Sequence, residues 1–261
     1  MNFKTIVFLF PGIFNRASVF FSPLTEVLKK AGISCVPLDL PGRDTVFKNP
    51  PPEGIGKVSL IDDCRFCTDI IKKKKAEDPD TKIVAIGHSR GGLLALMTAQ
   101  KIIFDGIILL APALPKGIAK IGFDPVRFIV FFSEWIKHPI SWKKRPVKRS
   151  FFGTKFGVLD SQMSKTDAKN DHETLVWESG QVIWALGYNP PHIPFSTIKS
   201  PISIIGGAKD RLVPLNDLMR MKEFYEVDNK YFHIYNSAHY LFWGKEGKRV
   251  IAQIVEWITK I

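Results

Sequence analysis

The chain has 261 residues, of which 45% are hydrophobic and 24% charged, and this is the composition of an ordinary globular protein rather than of a disordered or fibrous one. Its length favours one domain that carries a large insertion, and no stretch is long and apolar enough to predict a transmembrane helix. The formal net charge of +12 is unusual, and the segment 116–155 holds most of it, with ten basic residues against two acidic ones.

The first apolar run, residues 5–10, is short and has no small-residue cleavage site after it, so we interpret it as a buried strand rather than a signal peptide. Three cysteines, Cys35, Cys64 and Cys67, are too few and too odd in number for a disulfide framework. We therefore expect a cytoplasmic protein. Cys64 and Cys67 lie in a predicted helix without a second pair of ligands, so buried apolar packing is favoured over a redox or metal role.

Apolar runs of strand length alternate with helical patterns, which predicts a mostly parallel sheet covered by helices on both faces. The predicted strands cover residues 5–10, 34–40, 82–87, 106–110, 201–206 and 231–235. The predicted helices cover residues 22–30, 59–75, 90–101, 214–226 and 248–260. The alternation of strand and helix patterns stops for about eighty residues after the fourth strand. Irregular connections of that length are rare in compact domains unless they have a function. We therefore predict a core from residues 1–114 and 196–261, and a lid or cap insertion from residues 115–195.

The motif Gly87-His88-Ser89-Arg90-Gly91 lies between the third predicted strand and the helix that follows it. The spacing G-x-S-x-G is a modest signal alone, but the strand-turn-helix setting is the one that a nucleophile elbow requires. The elbow exposes a serine hydroxyl above the carboxyl edge of the sheet. The alternative is a strand-to-helix turn that merely favours glycine and serine.

Here the chain resembles the α/β-hydrolase family, and the resemblance covers both blocks of the predicted core. Family members carry an acid after a late strand and a histidine after the last strand, in the order serine, acid, histidine. The loop after the fifth predicted strand, residues 206–214, resembles the family's acid loop and implies Asp210; the loop after the sixth implies His239. The family's two leading strands are absent here, so the resemblance implies a six-stranded parallel sheet with the strand order 2-1-3-4-5-6.

The implied triad gives each residue a chemical role. A serine hydroxyl is a poor nucleophile until a neighbouring imidazole takes its proton, so His239 would be the general base for Ser89. Asp210 would hold the imidazole in the correct tautomer and stabilise the imidazolium. Two alternatives remain: Asp210 as a helix cap, and another histidine as the base. The competing histidines are His88, His138, His172, His192 and His233.

The oxyanion hole of the family takes one backbone N–H from the residue after the nucleophile, here Arg90, and a second from the loop after the first strand. Gly12 allows a close backbone approach there, so the resemblance implies the N–H of Ile13, with Phe14 as the alternative. This loop lacks the His-Gly pair that family members often show. A further loop, residues 39–43, resembles the family's Asp-x-Pro-Gly loop, whose role there is structural.

Several chemistries are excluded by the residues present. Family dehalogenases carry aspartate and dienelactone hydrolases carry cysteine where this chain has Ser89. No G-x-G-x-x-G follows a strand, no Walker-type loop is present and no metal-ligand spacing occurs, so we expect neither a cofactor nor a metal. We predict a serine esterase or lipase that acts on small-molecule acyl esters. The alternatives are a thioesterase or acyltransferase on the same triad, and a non-catalytic binding protein on the same fold.

The predicted insertion combines aromatic residues with a basic stretch at residues 143–149, preceded by an amphipathic helical pattern at 126–136. This combination suits an anionic lipid surface or an acyl substrate that bears phosphate. A solvated basic face without a partner is the competing interpretation. Nucleic acid is disfavoured because no reader motif is present. The aromatic residues of the insertion are Phe123, Phe128, Phe131, Phe132, Trp135, Trp142, Phe151, Phe152, Phe156, Trp177, Trp184 and Tyr188.

Overall fold

Parallel strands dominate the computed structural model of the chain, which describes residues 4–118 and 142–261. In chain order the strands of these residues are β1 (Thr5–Phe10), β2 (Ser34–Pro37), β3 (Lys82–His88), β4 (Gly106–Leu110), β5 (Pro146–Val147), β6 (Glu178–Ser179), β7 (Ile202–Gly207) and β8 (Phe232–Tyr235). Six of them form one sheet in the order β2-β1-β3-β4-β7-β8, and all neighbours in it are parallel. The predicted six-stranded parallel sheet and its strand order are confirmed. β5 and β6 form a separate antiparallel pair.

Helices cover both faces of this sheet, as the alternating pattern predicts. They are α1 (Ala17–Phe20), α2 (Ser22–Lys30), α3 (Leu60–Glu77), α4 (Arg90–Ala99), α5 (Phe151–Gly157), α6 (Lys165–Thr174), α7 (Gly180–Tyr188), α8 (Leu215–Phe224) and α9 (Gly247–Thr259). Single 3₁₀ turns occur at Ile55–Lys57, Trp142–Lys144, Phe195–Thr197 and Asn229–Tyr231. α3 begins at a capping box, in which Ser59 and Asp62 each satisfy the other's backbone N–H, so the sequence itself fixes this helix start.

The core lies around the central strands. β4 is buried along its whole length, and β1 and β3 are buried except at their first residues. These strands are continuous apolar runs because a parallel sheet with helices on both faces leaves no strand face in water. All ten residues of α4 are buried too, which fixes the helix that starts at the predicted nucleophile.

The predicted second strand is shorter than expected. It ends at Pro37 rather than at residue 40, although the N–H of Leu38 still donates to the carbonyl of Leu9 at 3.0 Å. Pro37 has no N–H to give to a ladder, and the chain then leaves the sheet towards the loop at residues 39–43.

The connection between β4 and β7 carries α5, α6, α7 and the β5–β6 pair. It packs against the loops at the carboxyl ends of the core strands: Val176 forms an isolated bridge with Val46, and its N–H donates to the carbonyl of Phe14 at 2.9 Å. The helix predicted at residues 126–136 lies outside the described residues, as do Phe123, Phe128, Phe131, Phe132 and Trp135.

Two sequence-based expectations concern membranes and thiols. In the described part of the chain, no helix has the length and apolar character needed to cross a bilayer. All three cysteines are free thiols, and Cys64 and Cys67 are buried on α3. Burial raises the pKa of the Cys67 thiol, so this side chain is uncharged and packs as a small apolar group.

Candidate active site

Ser89 occupies the tight turn between β3 and α4. Its backbone has φ 53° and ψ −121°, a strained conformation for a residue with a side chain. The turn is held from both sides, because the N–H of Ser89 donates to Leu110 at 2.9 Å and its carbonyl accepts the N–H of Ala113 at 2.8 Å. A side chain at Gly91 would lie 1.9 Å from the carbonyl oxygen of Phe10, and one at Gly87 would lie 2.3 Å from the carbonyl of Gly91. Both glycines are therefore required by backbone contacts.

Asp210 and His239 meet at the ends of β7 and β8. Asp210 Oδ2 lies 2.7 Å from Nδ1 of His239, and both side chains are buried. The other carboxylate oxygen, Oδ1, accepts the backbone N–H groups of Leu212 at 2.8 Å and Val213 at 2.9 Å. Since the carboxylate accepts at Nδ1, the hydrogen of a neutral imidazole is placed on Nδ1 and the lone pair on Nε2.

The structure does not join Ser89 to His239. The role of general base requires His239 to reach the Ser89 hydroxyl, but among the described residues this hydroxyl makes no hydrogen bond with His239 or with any other group. The hydrogen bond between Asp210 and His239 is therefore present, but a hydrogen bond between His239 and Ser89 is not. A serine hydroxyl needs only a rotation about its Cα–Cβ bond to change partners, and such hydrogen bonds often tighten only once substrate is bound.

The loop after β1 lies directly against Ser89. A Cβ at Gly12 would be 3.4 Å from Cβ of Ser89 and 2.8 Å from Nδ1 of His88, so glycine is needed for this close approach. Ile13 and Phe14 follow and are buried, and Phe14 has a positive φ of 65°. Within the described chain no backbone carbonyl accepts the N–H of Ile13, Phe14 or Arg90. The N–H groups of Ile13 and Arg90 are the predicted oxyanion donors, and that of Phe14 is the alternative to Ile13.

His88 is a buried neighbour of the site that sequence analysis considered only as a competing base. Its Nε2 donates to the backbone carbonyl of His239 at 3.0 Å, and its ring stacks on Phe20 at 4.4 Å between centroids. Complete burial, and next the proximity of His239, hold the pKa of His88 well below its usual value. His88 is therefore neutral and anchors the backbone of the loop that carries His239.

Two further groups of the site were missed by sequence reasoning. The side chain of Arg90 is completely buried and contacts the β1–α1 loop and Glu178, a residue of β6. Arg90 lies inside the motif, but the pattern G-x-S-x-G leaves its identity open. Glu178 lies in the irregular connection, where no sequence signal distinguishes it from other acidic residues.

A cavity of about 880 Å³ lies beside the site rather than at it. Its walls include Asn15, Phe20, Asp171, Lys209 and Asn236, but not Ser89, Asp210 or His239. As for metals, no group of three or more His, Cys, Asp or Glu side chains in the described ranges is placed to hold an ion.

Comparison with known proteins gives a consistent picture of the fold. The chain is similar to the crystal structure of a Paleococcus ferrophilus monoacylglycerol lipase, with 21% identity, a TM-score of 0.65 and coverage of 99% of this chain and 96% of that one. It is also similar to an esterase from Exiguobacterium antarcticum, with 17% identity, a TM-score of 0.69 and coverage of 98% and 92%. A meta-cleavage product hydrolase from Pseudomonas fluorescens gives 18% identity, a TM-score of 0.69 and coverage of 99% and 91%.

A search of curated proteins finds no match. The model of the alpha/beta hydrolase family matches residues 6–253, which is nearly the whole chain. The match spans the nucleophile motif, the acid loop and the histidine loop together with all six strands of the main sheet. On this evidence the chain belongs to the alpha/beta hydrolase family, as its sequence motifs indicate.

Proposed function

We propose that the protein is a serine hydrolase that cleaves carboxylic esters through an acyl-enzyme, with Ser89 as nucleophile, His239 as general base and Asp210 as the orienting carboxylate. The observation that carries the proposal is the 2.7 Å contact between Asp210 and His239 at the same sheet edge as the strained turn of Ser89. Strain at a functional turn is maintained only where the surroundings hold it, and here backbone bonds and two glycines do so. The lipase and esterase among the similar structures support the substrate class.

The proposed reaction proceeds in two halves. Ser89 Oγ attacks the carbonyl carbon of the ester while its proton passes to Nε2 of His239. The resulting oxyanion accepts hydrogen bonds from the backbone N–H groups of Ile13 and Arg90. The tetrahedral intermediate then releases the alcohol, which takes the proton from Nε2. Water attacks the acyl-enzyme with His239 again accepting a proton, and the carboxylic acid leaves as Ser89 regains its hydrogen.

A preference for apolar acyl groups follows from the residues next to the reacting groups. Ile13 carries the proposed oxyanion donor, Phe14 follows it, and Leu114 follows Ala113, whose N–H donates to the Ser89 carbonyl. All three side chains are buried and apolar. We further propose that residues 115–195 form a cap over this edge of the sheet. Such a segment selects the substrate because it closes over the acyl chain.

The proposal is tested with p-nitrophenyl esters of graded acyl length. We expect Ser89→Ala to abolish hydrolysis, and Asp210→Asn and His239→Ala to lower kcat by about 10³-fold or more, with melting temperatures close to that of the parent. A fluorophosphonate probe followed by peptide mapping should label Ser89 in the parent. Undiminished hydrolysis by the Ser89 variant would exclude the proposed nucleophile.

The same assays separate the neighbouring functions. A thioesterase would prefer acyl thioesters, and an acyltransferase would transfer the acyl group to an added alcohol in preference to water, whereas an esterase would release mainly the carboxylic acid. A non-catalytic protein would react with neither the esters nor the probe.

A further inference from the structure

Four charged side chains are buried together beneath the nucleophile turn: Arg43, Asp63, Arg90 and Glu178, which we call the buried ion-pair cluster. Arg43 donates to both oxygens of Asp63 at 2.9 and 3.1 Å and to Oε1 of Glu178 at 2.8 and 3.0 Å. Arg90 Nη1 donates to Oε2 of Glu178 at 2.7 Å. The side chains are between 0 and 1% exposed. Buried charges of this kind persist only when paired and hydrogen-bonded, and here two cations face two anions.

The charge of Glu178 depends on both arginines. Burial acts to raise the pKa of its carboxyl, but Arg43, Arg90 and the N–H of Ser179 together outweigh burial and hold this pKa below its usual value. Glu178 therefore remains an anion and a firm anchor for the guanidinium of Arg90.

Arg90 connects this cluster to the loop that carries the proposed oxyanion donor. Its Nη2 donates to the carbonyl of Gly12 at 2.9 Å, and Nε and Nη2 both lie 3.4 Å from the carbonyl of Pro11. The carbonyl of Gly12 and the N–H of Ile13 belong to one peptide unit. In a trans peptide these two groups point in opposite directions, and the chain contains no cis peptide among its described residues. The position of the Arg90 guanidinium therefore determines where the Ile13 N–H points.

We propose that the side chain of Arg90, anchored by Glu178, is a positioning group that presets the Gly12–Ile13 peptide for oxyanion binding. This inference rests on the proposed function and adds to it a second role for Arg90, whose backbone N–H is the other proposed donor. Fixed donors stabilise a developing oxyanion because they need not reorganise during the reaction. Arginine holds its N–H donors in a rigid planar fork, so it can bond Glu178 and the Gly12 carbonyl at once in fixed directions, which the single ammonium of lysine does not do.

Arg43 provides the matched control. It is equally buried and shares Asp63 and Glu178 with Arg90, but its remaining hydrogen bond goes to the carbonyl of Pro41, outside the β1–α1 loop. Replacing either arginine with lysine keeps the positive charge and removes the fork. The two substitutions should weaken the cluster alike, but only Arg90→Lys removes the hydrogen bond to Gly12.

The experiment compares Arg90→Lys with Arg43→Lys by thermal unfolding, ester kinetics and inhibition by an alkyl trifluoromethyl ketone, which forms a tetrahedral oxyanion adduct with the nucleophile. We expect both variants to have a lower Tm. In Arg90→Lys, kcat should fall and the ketone's Ki should rise by a similar factor, roughly ten- to a hundredfold. KM should stay nearly unchanged, because the Ile13 N–H binds the oxyanion of the transition state and not the ground-state substrate. In Arg43→Lys, Ki and kcat should stay close to the parent values.

Equal increases of Ki in both variants would assign Arg90 a structural role only, and an unchanged Ki in Arg90→Lys would overturn the inference. Crystal structures of the parent and Arg90→Lys give a readout that needs no activity: the Gly12–Ile13 peptide should rotate or take more than one orientation in the variant. An unmoved peptide would overturn the inference even if Ser89→Ala abolishes hydrolysis. A rotated peptide in a chain without Ser89-dependent hydrolysis would support the positioning role and reject the proposed function.

Discussion

Arg149 and Asp171 lie near each other beside the candidate active site and interact electrostatically. Sequence analysis assigns Arg149 to the basic stretch at residues 143–149, with no sign that it differs from its neighbours. In the structure Arg149 is only 2% exposed, and its guanidinium lies 4.6 Å from the centre of the Phe14 ring. Burial raises the pKa of Asp171 to about 6, and Arg149 offsets this only in part. The neighbouring Tyr240 is buried and uncharged, with its pKa raised to about 12, first by burial and then by Asp171.

We expect Asp171→Asn to change the pH dependence of stability. The folded protein holds the Asp171 proton more tightly than the unfolded chain, so the contribution of Asp171 to stability is full below about pH 4 and is lost as pH rises through about 6. Asparagine resembles the protonated acid. The melting temperatures of parent and variant should therefore agree near pH 3.5, and the variant should be more stable at pH 7.5, by about 1–3 kcal/mol.

Thermal unfolding at half-unit pH steps measures this difference. Asp167→Asn serves as the control, because Asp167 lies on the same helix but is exposed at its first turn. A difference between Asp171→Asn and the parent that does not vary with pH would contradict the prediction.

At the residue scale, sequence predicts the site residues that belong to motifs but gives no signal for groups that are defined only by tertiary contact. Ser89, Asp210 and His239 each follow a predicted strand, and parallel strands bring their carboxyl ends to one edge. His88 and Glu178 become recognisable only when the fold buries them against His239 and Arg90. The burial of Arg149 has no signal in the sequence, because a run of basic residues carries no information about which one turns inward.

At the scale of elements, the turn from β3 to α4 illustrates how backbone contacts limit the sequence. The Cα of Gly91 faces the backbone of Phe10 at the end of β1, and a methyl group there would overlap the Phe10 carbonyl oxygen and carbon at 1.9 and 2.5 Å. Backbone atoms of a central strand cannot move aside as the end of a side chain can.

We therefore predict that Gly91→Ala lowers the free energy of unfolding by about 3–5 kcal/mol and removes hydrolytic activity, because the strained turn cannot form with β1 in place. Gly54→Ala is the control: Gly54 has a φ of 74° but nothing within 4 Å of its added Cβ, so only the backbone cost of about 1–2 kcal/mol applies. Urea unfolding measures both values. Equal losses in the two variants would show that contact with β1 is unimportant.

Element positions were predictable where a periodic pattern and an end signal coincide. The capping box at Ser59 and the proline after Phe10 mark a helix start and a strand end, and both lie within one residue of the structure. In the connection between β4 and β7, a periodic pattern and an end signal do not coincide. α6 is polar along nearly its whole length, and β5 and β6 are only two residues long each. Their positions depend on contacts with the core, which a local pattern does not encode.

At the scale of the whole molecule, the connection between β4 and β7 brings exposed positive charge to the carboxyl ends of the strands. Lys143, Lys144, Arg145 and Lys148 are exposed and belong to the connection that packs over the carboxyl ends of the strands. Lys143 lies over the ring of Trp184 at 5.8 Å and Lys148 over that of Trp177 at 5.5 Å. We propose that these four residues attract substrates or lipid surfaces that carry negative charge, since a concentrated field raises the local concentration of opposite charges.

Replacing these four residues with glutamine should lower kcat/KM about tenfold for an anionic ester, such as the p-nitrophenyl monoester of a dicarboxylic acid, and spare the neutral ester of equal chain length. Arg149 is left intact because it is buried against Phe14. The matched control replaces Lys29, Lys30, Lys72 and Lys73, which are exposed at the ends of α2 and α3 that lead into the amino ends of β2 and β3. Both variants lose the same number of positive charges, so a general effect of net charge would lower kcat/KM for the anionic ester equally in the two variants.

Added salt should reproduce the first variant in the parent protein, because exposed charges act over roughly 8 Å at physiological ionic strength. Stopped-flow or steady-state rates from low to high salt would measure this, and the parent and first variant should converge as salt rises. Apolar burial of the acyl chain is hardly weakened by salt, so the neutral ester should keep its rate throughout. If the two glutamine variants hydrolyse the anionic ester equally well at low salt, the basic residues near the site have no part in attracting substrate, and the positive stretch is a solvated face.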